Sequence, residues 1–132
     1  METVWAGTSL RTGRFEAAKR TNLGELADHF HALRARGEGY LEISRPDRPF
    51  FPTLALGFRD ERAVVHVFYE ESIALLRGDD SAAPDDEADV LIIDELSRFT
   101  GEVVMTLDHA WQLVEPFLRT GDVGEHEDWF QT

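Results

Sequence analysis

The chain has 132 residues, of which 26 are acidic and 13 basic for a net charge of -13, and it contains no cysteine. Its length fits one domain, whose folding buries roughly two-thirds of the surface that the unfolded chain exposes. Without cysteine there is no disulfide framework, thiolate metal site or cysteine nucleophile. No apolar run approaches the roughly 20 residues that span a bilayer, and the opening METVWAGTSLRTGRFEAAKR has no apolar signal core, so a soluble, untargeted protein of the cytoplasm is expected.

The charge is lopsided along the chain. Residues 1 to 62 hold 10 basic and 9 acidic side chains, a net of +1, whereas residues 63 to 132 hold 3 and 17, a net of -14. Such a field repels nucleic-acid phosphates and anionic membranes, and it attracts basic protein surfaces and speeds encounter with them.

The first 20 residues carry no pattern that assigns an element. In TNLGELADHFHALRARGEG, Asn22 is placed to cap a helix and Glu25, three residues on, completes a capping-box pattern. Leu23, Leu26, Ala27, Phe30 and Leu33 then recur at helical spacing, and Gly37 supplies the stop. Alternation follows. Leu41 and Ile43 share one side of a strand; Leu54, Leu56 and Phe58 share one side of the next; and after the polar turn RDER, Val65, Val67 and Tyr69 oppose Val64, His66 and Phe68. The last of these strands is apolar on both faces, as in a central position.

A short strand is predicted at Ile73 to Leu76, an exposed acidic loop at about 77 to 90, a brief apolar run in VLIID and a strand in GEVVM. TLDHAWQLVEPFLRTG reads as a helix capped by Thr106 and stopped by Gly121, with Leu107, Ala110, Trp111, Val114 and Leu118 on its apolar face. Pro116 removes one hydrogen bond and crowds the carbonyl of Gln112, so a kink or an early end is expected there. A last short strand is predicted around Asp128 to Phe130, with Trp129 pinning it to the core. The order points to an α+β fold, with a mainly antiparallel sheet and two principal helices packed on one face. A single domain over residues 1 to 132 is expected.

A search for chemistry finds little that converges. His29 and His31 point to different faces of a helix, His66 reads as a satisfied sheet histidine, and His126 in EHED has carboxylates beside it only in sequence. The acidic loop fails the spacing of a calcium-binding EF-hand loop, with Pro84 where glycine is required and Val90 where glutamate is required. Phosphate-cradling, serine-hydrolase and zinc-protease motifs are absent. Arg34, Arg36, Arg45 and Arg48 cluster in sequence with Tyr40, Phe50 and Phe51, yet a net charge of -13 argues against direct nucleic-acid binding. A non-enzymatic protein without metal or other cofactor is the expectation.

A strand, then TLDHAWQLVEPFLRTGD, then a short polar link and a near-terminal tryptophan resemble the closing signature of the first-numbered immunity-protein family of bacterial polymorphic toxin systems. The matching positions are Thr106, Phe117, Leu118, Thr120, Gly121 and Trp129, and with the upstream order of elements the resemblance covers about residues 21 to 130. The family commonly carries a proline in the tail after the glycine, which this sequence lacks. The resemblance implies a small α+β protein that binds a cognate toxin domain, often one acting on nucleic acid, inside the producing cell. In that setting the carboxylates expected to meet the partner's basic cleft are Asp79, Asp80, Asp85, Asp86, Glu87 and Asp89, followed by Glu125, Glu127 and Asp128. The alternative of a different class is a small-ligand-binding protein or enzyme with a pocket around His66 and Tyr69 or Trp111. The oligomeric state is left open.

Overall fold

The computed structural model describes residues 1–123 and, as backbone only, a strand at Trp129–Gln131. In chain order it has β1 (Glu2–Thr8), β2 (Phe15–Asn22), α1 (Leu23–Arg36), β3 (Glu38–Arg45), β4 (Arg48–Arg59), β5 (Arg62–Phe68) and β6 (Ile73–Leu76). There follow β7 (Glu87–Ile92), β8 (Glu95–Thr100), β9 (Met105–Thr106), α2 (Leu107–Gln112), α3 (Val114–Thr120) and β10 (Trp129–Gln131). The main sheet runs β10-β6-β5-β4-β3-β1-β2 with β9 paired to β5, and β7 and β8 form a separate two-stranded sheet. Every pairing is antiparallel. The protein is α+β with a mainly antiparallel sheet.

Helix α1 begins and ends where its sequence signals lie. The Asn22 side chain accepts from the Glu25 backbone N–H, satisfying one of the donors that a helix start leaves free. Gly37 closes the helix at φ 96°, a left-handed conformation that costs glycine no steric clash. Thr106 caps α2 by accepting from His109 N–H. The helix predicted from Thr106 to Gly121 divides at Leu113, the residue between α2 and α3. Pro116 explains the division, because its ring would press on the Gln112 carbonyl in a continuous helix.

Period-two alternation sends Leu41, Ile43, Leu54, Leu56, Phe58, Val65 and Val67 to the face that α1, α2 and α3 cover, where all are buried. Leu26, Phe30 and Leu33 descend from α1, and Leu107, Ala110, Val114, Phe117 and Leu118 from α2 and α3. Trp111 stacks on Phe30 with ring centroids 4.2 Å apart and an interplanar angle of 2°. Burial of each large side chain here contributes about 1.5–3 kcal/mol.

The opposite face is covered by the β7–β8 hairpin, which the sequence pattern did not anticipate as a layer. Val64, Ala88, Val90, Val103 and Val104 form one cluster there, and Tyr40, Ala55 and Leu91 another. Gly57 marks the contact: a Cβ on it would lie 2.3 Å from the Leu91 carbonyl oxygen, so only glycine admits the hairpin this close.

Several expectations are corrected. The opening 20 residues form an edge hairpin, β1 and β2, whose second strand is almost wholly exposed and so lacks an alternating apolar signal. ELSRFT is strand β8 for the same reason. GEVVM is a 3-10 turn at Gly101–Val103 followed by the two-residue β9, because Val103 and Val104 turn into the hairpin-side cluster while Met105 enters the helix-side core. The acidic loop ends at Asp86, since Glu87 opens β7.

Candidate partner-binding surface

The acidic segment after β6 is exposed, yet its backbone is tied at several points. Gly78 N–H donates to the Glu102 carbonyl at 2.7 Å, and Gly101 N–H donates to the Asp86 carbonyl at 2.8 Å. The Asp79 carboxylate accepts from Ser81 N–H at 3.0 Å, from Thr106 N–H at 2.9 Å and from the Thr106 hydroxyl at 3.2 Å. It therefore fastens the loop to the residue that caps α2. Burial opposes ionisation of Asp79, but the hydrogen bonds from Ser81 and Thr106 outweigh it and hold the carboxyl below the usual carboxylate range.

The carboxylates expected at the partner surface thus separate by role. Asp86 accepts from Ala83 N–H at 3.3 Å and shapes the loop. Glu87 and Asp89 stand on β7 opposite Arg98 of β8, whose Nε lies 3.3 Å from Glu87 and 3.2 Å from Asp89. Asp80 and Asp85 are exposed and make no hydrogen bond or ion pair among the described residues. Glu125, Glu127 and Asp128, like His126, lie outside the described residues. The fold adds acids that spacing did not group with the loop: Glu102, which follows β8, and Asp94 and Glu95 at the hairpin tip. Asp94 accepts from Phe15 N–H at 2.7 Å and so ties that tip to the start of β2.

His66, Tyr69 and Trp111 do not share a pocket. His66 faces the hairpin, stacked over Phe68 with centroids 6.3 Å apart and edge-on to Phe99 at 5.9 Å, and burial lowers the pKa of its imidazole. Trp111 lies across the sheet against Phe30. Tyr69 follows β5 and lines a separate concavity; burial and the nearby Asp122 carboxylate raise its phenol pKa. The arginine cluster disperses too. Arg34 pairs with Glu61 and Asp108, Arg36 donates to the Ser9 and Leu10 carbonyls, and Arg45 faces Asp47, while Tyr40 is buried and donates to Glu42 at 2.7 Å. Among the described residues no three His, Asp or Glu side chains converge as metal ligands.

What spacing missed is an aromatic edge on the hairpin side. The cross-strand row Ser44, Thr53, Phe68 and Ile73 runs across β3 to β6 and borders two open concavities. The β3–β4 tip overhangs it with Phe50, 78% exposed, and Phe51, 44% exposed. The sequence signal is PFFP, in which two adjacent aromatics cannot both face the same core in an extended strand.

Compared with protein-family models the chain matches none, and compared with curated proteins it matches none. The resemblance therefore stands on the residues that carry it, of which Thr106 and Gly121 are helix caps and Phe117 and Leu118 are buried core. Among the described residues no helix is long and apolar enough to cross a membrane.

Proposed function

We propose that the protein is a cytoplasmic bacterial immunity protein, one that binds a cognate toxin domain and occludes that domain's basic active-site cleft with its acidic surface. The observation that carries this reading is the distribution of charge. Residues 63–132 hold 17 acidic side chains against 3 basic ones, and this half supplies the hairpin layer and the tethered loop that cover one side of the sheet. A toxin that acts on nucleic acid presents a positively charged groove, and carboxylates on an anchored scaffold meet it at a small entropic cost. The mechanism is steric and electrostatic, and no residue of this chain performs chemistry in it.

Asp80 and Asp85 are free to face such a partner, with Glu102 and Glu95 beside the same layer. Asp79 contributes by holding the loop in place. Co-expression with the toxin domain encoded by the adjacent gene tests the reading: cells are expected to survive, and the two proteins to co-elute on size exclusion with an association rate that falls as salt rises. Continued killing together with separate elution would sink it.

A further inference from the structure

Beside the Phe68–Ile73 pair that joins β5 to β6 lies a concavity of about 440 Å³, walled by Phe51, Phe68, Tyr69 and Ile73 and completed by Glu70, Glu71 and Ser72. Its character differs from the hairpin layer. There Glu87 and Asp89 face the Arg98 guanidinium, whereas here Phe51, Tyr69 and Ile73 are 44%, 37% and 37% exposed beside two adjacent glutamates. Among the described residues no cationic side chain is among the walls, and Glu70 and Glu71 make no hydrogen bond or ion pair. An apolar wall leaves water poorly satisfied, and an acidic rim with no countercharge among the described residues favours a cation. One kind of side chain satisfies both.

Lysine and arginine lay an aliphatic stem along apolar surface while the charged head reaches a polar rim, and arginine also stacks on aromatic faces. We propose that this concavity is the anchor site for the basic partner, taking an arginine or lysine side chain of the toxin domain with its stem against Phe51, Phe68 and Ile73 and its charge on Glu70 and Glu71. The assignment rests on the reading of the protein as an immunity protein and names the place where affinity is concentrated. Division of labour follows from it. The tethered loop and hairpin act at long range on encounter, and the aromatic concavity acts at contact on residence time.

The experiment is a binding series with the catalytically inactivated toxin domain encoded by the adjacent gene, comparing the wild-type protein with three variants. Phe51→Ser is expected to raise the dissociation rate about tenfold or more with little change in association rate. Glu70→Gln/Glu71→Gln is expected to weaken binding about tenfold and to lower its salt dependence. Asp80→Asn/Asp85→Asn is expected to slow association severalfold and leave dissociation near the wild-type value. All substituted side chains are exposed, and circular dichroism and thermal unfolding of each variant serve as the check on folding. If the wild-type complex forms but Phe51→Ser and Glu70→Gln/Glu71→Gln both dissociate within twofold of it, the anchor assignment is overturned while the immunity reading stands. Failure of the wild-type protein to bind the toxin domain overturns both.

Discussion

The helix side of the sheet holds Phe30, Phe58, Phe117 and Met105 with no exposed surface, packed by three helices into one continuous core. The hairpin side is divided into two smaller clusters, one of Val64, Ala88, Val90, Val103 and Val104 and one of Tyr40, Ala55 and Leu91. Both sides use the same strands, so the difference lies in what covers them. Helices bring long side chains at close spacing, while a two-stranded hairpin brings one side chain in two and presents the other to solvent. The first arrangement holds the fold, and the second carries an acidic outer surface on a thin apolar base. The continuous core and the acidic layer thereby lie on opposite faces of the sheet.

Truncations on the two faces measure the contrast most directly. Phe30→Ala removes the ring stacked on Trp111 and set edge-on to Phe58, and is expected to cost about 3–5 kcal/mol in denaturant unfolding. Val90→Ala in the hairpin-side cluster is expected to cost about 2 kcal/mol. Equal losses would show that the two layers contribute alike.

Next in size is Gly57→Ala, whose new methyl would meet the Leu91 carbonyl and the Ile92 side chain. A loss of about 1–3 kcal/mol is expected, with faster amide exchange in β7 and β8 and unchanged protection in α1. Spread of the faster exchange into α1 would mean that the hairpin is not a separable layer.

Asp79→Asn is expected to cost about 1 kcal/mol at neutral pH, by weakening the tie between loop and α2. The folded-state pKa of Asp79 is depressed, so its contribution is present above the ordinary carboxylate value of 3.8 and is lost as pH falls through the lower folded-state value. The wild-type and variant stability curves should therefore converge at acid pH. A constant gap would show that the asparagine effect is steric rather than electrostatic.

The smallest effect concerns His66, whose imidazole pKa burial lowers from 6.5. The folded state then binds fewer protons than the unfolded one, so stability present above pH 6.5 declines as pH falls through the folded-state value. In His66→Gln that component is expected to vanish from a pH series of chemical unfolding. Its persistence would place the titration elsewhere.

Helix α1 was legible to the residue, because Asn22 and Gly37 act locally and the apolar spacing between them needs no partner to be recognised. Strands β3 to β5 were legible as elements through their apolar pattern but not in their bounds, since β4 begins at Arg48 and β5 ends before Tyr69, and the break at Leu113 was legible from Pro116, whose ring and the Gln112 carbonyl collide within one turn. Strands β2 and β8 were not legible, since an edge strand with most side chains in water carries no periodic imprint. The candidate surface was legible only as composition: acidity located the second half, but the contacts that hold Asp79 and Asp94 depended on neighbours far along the chain. Asp79 meets Thr106 27 residues away, and Phe15 meets Asp94 79 residues away.

By itself, then, the sequence determined the elements that bury one face and the half of the chain that bears negative charge. Only the tertiary structure decided that β7 and β8 fold back over the sheet, that Asp79 is a tether, and that Phe51 overhangs Phe68 and Ile73 beside two glutamates. The physical reason is range. Caps, turns and periodic burial are settled within a few residues, whereas a layer or a concavity exists only once segments distant in sequence exclude water together.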